Sequence, residues 1–363
     1  MRGKKKNINF LQVTSGLRLK VDSSACRMDI GNRQPHFSYR LSMPLFNSVL
    51  AWILPLLPKW AARPFASPYV AGTTSSSALK VVQRLNTAGF SATLDILGEH
   101  VESPAEARRV RNAYLELYER IYRQWLDCNI SLKLTHLGLG LSGNPAKENL
   151  LDLAGKARER DNFLRIDMEN SDYTDQTISL YRKCRELHES TGMVLQARLR
   201  RTLADIEELC GPGFNCRICK GIYPEPEELA FTLADEIREN FSLAVRAVLS
   251  RGGYAAIATH DIELINSIEN WLMENEIPTH RFEFQVLHGV PMAGRLERLL
   301  ERGYRVRVYV PFGEDWFDYS IRRLRENPRI LWYVIKNLFS RRCRAAAQQK
   351  VPAMRQPDDT VPA

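Results

Sequence analysis

Tyr304-Arg-Val-Arg-Val-Tyr309-Val-Pro311-Phe-Gly313-Glu-Asp-Trp-Phe-Asp-Tyr319-Ser-Ile-Arg322-Arg323-Leu-Arg-Glu326-Asn-Pro328 reads as a strand, a loop and a helix. Residues 304–310 are β-branched or aromatic at most positions, which suits a strand. Pro311 and Gly313 punctuate a turn. Helical spacing follows Glu314 until Pro328 stops it. Within it Tyr319, Arg322, Arg323 and Glu326 stand at i, i+3, i+4 and i+7 and share one face. Two adjacent guanidiniums beside a tyrosine make a fork for a small carboxylate. The spacing equally fits a solvated face on which Glu326 pairs with the arginines of its own helix.

Working back from this stretch, strands and helices alternate from Ser91 onward. Strands are expected at 91–97, 130–135, 163–168, 193–197, 216–221, 254–259, 282–287 and 304–310. Ser103–Asp127 is the clearest helix: Ser103 caps, Pro104 takes the first helical position and Glu106 stands three residues after the cap. Alternating βα units with apolar runs such as Ala256-Ile-Ala argue a parallel sheet. Eight units predict an α/β fold, a closed (β/α)8 TIM-type barrel with an N-terminal helical extension. The organisation expected is a basic tail over 1–40, a barrel with N-terminal helices over 41–340 and a second basic tail over 341–363. Met43–Ala62, with Trp52 and Trp60, reads as an amphipathic helix that packs on the body or lies at a membrane surface.

A barrel enzyme keeps its reacting groups at the carboxyl ends of the strands. Polar residues stand at each expected end, among them Asp95 and Glu99, Lys133 and His136, Asp167 and Glu169, Gln196 and Arg198, Lys220 and Tyr223, Thr259 and His260, Gln285, and Tyr309.

The formal charge of +9 is unevenly placed. Residues 1–40 hold nine Lys and Arg against two Asp, and residues 341–363 hold five against two. The excess therefore belongs to the tails, which argues against a nucleic-acid groove in the body and suits equally contact with anionic lipid or a plain gain in solubility. Seven cysteines show no framework spacing, and an odd number fits a reducing cytosol. Cys216-Arg-Ile-Cys219 has no second Cys or His pair at zinc spacing, so no metal site is expected; a redox pair is the lesser alternative, and two small residues in a buried strand are the plainer account. Met1-Arg-Gly-Lys-Lys-Lys has no apolar run behind it, so no secretory signal is expected. The longest apolar run, Leu45 to Leu57, contains Asn47, Ser48 and Pro55 and is too short to span a bilayer. The expected location is cytoplasmic, with peripheral contact on the inner face of the membrane through the tails.

Three further stretches join the opening one: Arg217-Ile-Cys-Lys220-Gly-Ile-Tyr223, Ala258-Thr259-His260-Asp261 and Phe282-Glu-Phe-Gln285-Val-Leu287-His-Gly289. In this order the four resemble the flavin-dependent proline dehydrogenases of the monofunctional type, and the resemblance covers roughly residues 65–330. It implies a barrel that oxidises L-proline to Δ1-pyrroline-5-carboxylate with FAD and passes the electrons to a membrane quinone. No G-x-G-x-x-G fingerprint is present, so the dinucleotide must bind in a non-Rossmann manner. Carried over by motif, Arg217 is expected near flavin N5 and Gln196 at the pyrimidine edge. Lys220, Thr259 and His260 serve the cofactor, Asp167 supports the flavin site and Glu326 lies towards the adenosine. Lys133, Arg322 and Arg323 would hold the substrate carboxylate, and Tyr223, Tyr309, Tyr319 and Leu287 would box the ring.

Two positions depart from the family's pattern: Arg198 stands where an aromatic is common, and Ile222 where a small residue is usual. Two alternatives stay open. One is another flavin barrel of the methylenetetrahydrofolate reductase kind, which has no need of a clamp like Arg322-Arg323. The other is a catalytically silent, membrane-associated barrel.

Overall fold

Ser103 accepts a hydrogen bond from the Glu106 amide at 3.2 Å, and the Glu106 carboxylate reaches back to the Glu102 amide at 3.0 Å. These contacts, with Pro104 at the start, launch the long helix that the sequence predicts. Its inner stripe, Ala107, Tyr114, Leu117, Tyr118 and Ile121, is buried against the barrel. The computed structural model describes residues 69–317 and 319–321. Met43–Ala62, both basic tails, Arg322, Arg323 and Glu326 lie outside the described residues.

The strands are β1 Ser91–Ile96, β2 Cys128–Leu132, β3 Leu164–Ile166, β4 Thr191–Gln196, β5 Asn215–Cys219, β6 Tyr254–Ala258, β7 Phe282–Leu287 and β8 Val306–Phe312. The helices are α1 Ser75–Thr87, α2 Pro104–Arg123, α3 Ala146–Glu159, α4 Thr174–Leu187, α5 Thr202–Leu209, α6 Ala234–Ser250, α7 Ile262–Glu274 and α8 Arg295–Glu301. Helix α1 precedes the barrel, and α2 to α8 are the crossovers between consecutive strands. A further helix begins at Trp316. The strands form a closed parallel barrel in chain order. It closes between β1 and β8, with Ala92 beside Val308 and Ile96 beside Phe312. Among the described residues no helix is long and apolar enough to cross a membrane.

Several strand bounds differ from expectation, and β4, like β2, starts two residues early, at Thr191. β2 begins at Cys128, two residues before the expected start, and β8 runs through Pro311 to Phe312. Proline is tolerated there because its carbonyl still works: Pro311 accepts from the Ala71 amide at 2.9 Å, where the chain enters the body. Cys216 and Cys219 both lie on β5, as the plain reading of the C-x-x-C expects, and the odd separation puts them on opposite faces of the sheet.

The strands alternate in an uncommon sense. Residues such as Leu94, Ile130, Ile166, Ile218, Phe284 and Val308 are buried on the helix-facing side. The other set points to the barrel axis and is largely polar. Arg307 donates to Asn129 at 2.9 Å, to the Ala92 carbonyl at 2.7 Å and to both oxygens of Glu283. Thr93 donates to Asn129 at 2.6 Å, and Arg165 to Asn215 at 2.7 Å. TIM-type interiors are ordinarily dominated by branched hydrocarbon side chains; this one holds hydrogen-bonded charge. Burial alone would raise the Glu283 carboxyl, but Arg307, Gln285 and Arg165 outweigh it and hold it below its ordinary value.

Candidate active site

The polar stack opens at the carboxyl ends of the strands into a cavity of about 560 Å³. That is the size of a site for a small organic ligand. The alternation along each strand sets its floor. β1 delivers Asp95, β2 delivers Ser131 and then Lys133, β3 delivers Asp167, β5 Arg217, β7 Gln285 and β8 Tyr309.

These groups form one network. Lys133 meets Asp95 at 2.9 Å. The Tyr309 hydroxyl lies 2.7 Å from Asp95 and 3.0 Å from Asp167. Its one proton serves one carboxylate at a time. Asp167 accepts from Ser131 at 2.6 Å and from Arg217 Nη1 at 2.7 Å. Arg217 also donates through Nε to Gln285 at 2.6 Å, and its guanidinium sits 5.1 Å from the centre of the Tyr309 ring.

The electrostatics follow from burial and from these neighbours. Burial, then Asp167 and Asp95, push the Tyr309 phenol well above its ordinary value, so it stays neutral. Burial works to lower the Lys133 ammonium, but Asp95 and Asp167 outweigh it and hold it well up, so it stays charged. Tyr223 is pushed up by burial and by Glu99. Two carboxylates and two cations thus share the floor with neutral phenols.

The rim is built on the turns after β4, β5 and β6. Gln196 donates to the Glu169 carbonyl at 2.7 Å. The Glu169 carboxylate accepts from the Thr135 amide at 3.1 Å and from its hydroxyl, and burial raises it above its ordinary value. Gly221 has φ +93°, and a Cβ there would stand 2.8 Å from Gln196 Oε1, so only glycine fits the turn. Lys220 pairs with Asp261 at 2.6 Å, and Asp261 also takes Arg238 at 2.7 Å and caps α7 through the Leu264 amide. His260 Nε2 accepts from the Leu287 amide at 2.9 Å, which leaves its ring proton on Nδ1.

The residues singled out by sequence meet here. Lys133, Tyr223, Tyr309, Tyr319 and Leu287 line the cavity, as do Asp167, Gln196, Arg217, Lys220, Thr259 and His260. Arg322, Arg323 and Glu326 are outside the described residues; Tyr319, on the turn before them, is 9% exposed. Sequence reasoning passed over Ser131 and gave Asp95 and Gln285 no role, although they hold Asp167, Lys133 and Arg217 in place. The signal was the alternation itself: Asn129-Ile-Ser131-Leu-Lys133 and Glu283-Phe-Gln285 carry polar groups at every second position on the way to a strand end.

A cofactor fit can be tested on one atom. Arg217 Nη2 is buried and has no hydrogen-bond partner among the described residues, although the other guanidinium nitrogens are engaged. A buried unpaired donor is costly unless a ligand supplies an acceptor. Together with the cavity volume and the polar edge at Gln196, this suits a flat heteroaromatic group with acceptor nitrogens, and the residues present therefore fit a flavin.

The family model described as proline dehydrogenase matches residues 78–331. The chain is 38% identical over 276 residues to proline dehydrogenase 1 of Bacillus subtilis subsp. natto, covering 76% of this chain and 91% of that protein. It is 33% identical over 278 residues to the proline dehydrogenase of Deinococcus radiodurans, covering 75% and 89%. Among solved structures, the fold matches proline utilization A from Bdellovibrio bacteriovorus inactivated by N-propargylglycine, with a TM-score of 0.69 at 23% identity. That match covers 78% of this chain and 37% of the longer protein.

Proposed function

Because the chain belongs to the proline dehydrogenase family, we propose that it oxidises L-proline to Δ1-pyrroline-5-carboxylate with FAD and passes the electrons to a membrane quinone. The observation that carries the cofactor reading is the buried, unpartnered Nη2 of Arg217, a residue of the cavity lining. Asp167, Ser131 and Gln285 fix that guanidinium before any ligand arrives. Gln196 would hydrogen-bond the flavin's pyrimidine edge, Lys220, Thr259 and His260 would hold the cofactor at the rim, and Glu326 would serve its adenosine side. Bound there, FAD supplies the acceptor for the hydride that leaves the ring carbon next to nitrogen.

The chain's own residues do the rest. Lys133 stays charged beside Asp95 and has further N–H donors for a substrate carboxylate, with Arg322 and Arg323 completing the clamp. Tyr223, Tyr309, Tyr319 and Leu287 close an apolar box that keeps water from the reacting carbon. Tyr309 remains a phenol, so it can donate a hydrogen bond without adding charge to the floor. The basic excess of residues 1–40 and 341–363 supports a station at an anionic membrane surface, where a quinone is within reach.

The test is one spectrum and one titration. The purified chain should show flavin absorbance, and L-proline added without oxygen should bleach it; a dye acceptor should then restore it. A chain that carries flavin but is not bleached by proline would overturn the substrate reading. A chain that takes up no flavin would overturn the cofactor reading and leave a silent barrel.

A further inference from the structure

We infer that Arg198 is a positioning residue, which fixes Tyr223 in the cavity wall by pinning the segment between β5 and α6. The inference rests on reading that cavity as the amino-acid site.

Past β4 the chain runs Gln196-Ala-Arg198-Leu-Arg200. Arg198 meets the β5–α6 segment at three points. Its amide donates to the Lys220 carbonyl at 2.9 Å, its carbonyl accepts from the Phe231 amide at 2.8 Å, and its Nη1 donates to the Tyr223 carbonyl at 2.8 Å. The first two are backbone contacts that any residue could make. The third needs this side chain, and it joins two residues of the cavity lining, Arg198 itself and Tyr223.

The rest of the segment is also held by polar ties. Arg200 donates to the Glu227 carbonyl at 3.1 Å, and its guanidinium lies 4.6 Å from the centre of the Phe231 ring. Glu225 accepts from the Ser171 amide at 2.8 Å and from its hydroxyl at 2.5 Å, which joins the segment to the turn after β3. Burial contributes little. Ile222 is 46% exposed, Leu229 47% and Leu233 63%, and Ala230 is the one buried hydrophobic residue between Gly221 and Leu233. A segment that buries so little apolar surface is placed by its hydrogen bonds, and it opens easily when one is lost. Gly221, at φ +93°, hinges its start between Gln196 and Arg198, whose Cβ would stand 3.2 Å from an added methyl.

Removing the Arg198 tie should therefore let Tyr223 drift while the barrel stays whole. A site whose wall must be ordered on binding loses affinity, because the ordering cost falls on the ligand.

The experiment compares the full-length wild type with Arg198→Ala and Arg198→Lys. Hydrogen exchange reads the tie without any substrate. In Arg198→Ala the amides of 222–231 should exchange faster, with those of the β-strands unchanged. Losing a hydrogen bond from a charged donor should raise KM for proline on the order of tenfold, with a smaller change in kcat. Arg198→Lys, which keeps a cationic donor, should recover part of both effects. Melting temperature and bound flavin should match wild type in both variants; loss of flavin in Arg198→Ala would show that this side chain, itself part of the cavity lining, holds the ligand directly and not through Tyr223. Unchanged exchange over 222–231 in Arg198→Ala would show that the side chain pins nothing. Faster exchange with KM within twofold of wild type would show that pinning does not serve the site. If the wild type itself fails to oxidise proline, the substrate reading falls, and the exchange comparison alone decides the tie.

Discussion

Arg217 and Asp167 meet at 2.7 Å inside the barrel, with side chains 7% and 11% exposed, and each is the other's only full counter-charge at hydrogen-bond distance among the described residues. Truncating one partner of such a pair leaves a buried charge uncompensated, at about 3–5 kcal/mol. Asp167→Ala should therefore lower unfolding stability by that order in a denaturant titration. A loss below about 1 kcal/mol, the range of exposed pairs, would mean that water already reaches the pair.

Tyr309→Ser should shift substrate choice towards 4-hydroxyproline. The phenol lies over the floor between Asp95 and Asp167, and a serine vacates room for a ring hydroxyl. Tyr309→Phe keeps the bulk and loses only the hydrogen bonds, so it should weaken turnover of both substrates and leave their ratio alone. Equal kcat/KM ratios in wild type and Tyr309→Ser would take Tyr309 out of the substrate box.

Arg322→Met should raise KM for proline on the order of 30-fold or more while flavin stays bound, as expected when one member of a desolvated charge pair is truncated. Arg323→Met should behave alike. Binding of a cyclic carboxylate analogue, measured beside flavin content and melting temperature, checks this. Binding within threefold of wild type would return Arg322 to a solvated face.

Flavin should leave the polypeptide on denaturation. The cofactor set at Gln196, Arg217, Lys220 and His260 is one of hydrogen bonds and charge. Filtration of the denatured protein should carry all the absorbance into the filtrate.

Acid should weaken the rim. Burial works to raise Asp261, but the hydrogen bonds from Lys220 and Arg238 outweigh it and hold the carboxyl down at about 2. Its folded value is thus below the unfolded one, which is about 3.9. The stability it contributes is present above pH ~4 and is lost as pH falls through about 2. Asp261→Asn keeps a capping side chain for α7 and removes the titration, so its stability should fall less steeply than wild type across that window. Parallel slopes in an acid titration followed by circular dichroism would contradict the assignment.

The fold was legible because each βα unit carries its own signals. Ser103, Pro104 and Glu106 mark a helix start without help from the rest of the chain. Strand ends were less legible where pairing decides them. Pro311 reads as a turn, yet β1 pairs beyond it, with Asp95 beside Pro311 and Ile96 beside Phe312. The site was legible where a motif names a residue, as at Arg217 or His260. It was not legible where a residue acts through a neighbour on another strand. Asp95 matters because Lys133 and Tyr309 both reach it from β2 and β8, and no local pattern states that meeting. Arg198 read as a departure of unknown effect, and only the fold shows its contact with the Tyr223 carbonyl.

The charged interior also limits how this barrel can vary over time. Glu283 is held by Arg307, Arg307 by Asn129, and Asn129 by Thr93, all around one axis. A hydrocarbon core accepts single exchanges of similar volume. Here a lone neutral replacement of Glu283 strands a guanidinium, whereas a matched replacement of Glu283 and Arg307 by apolar residues restores balance. Lineages descending from this chain should therefore change their barrel axis two residues at a time, and pairs that covary there should outnumber those on the helix-facing side.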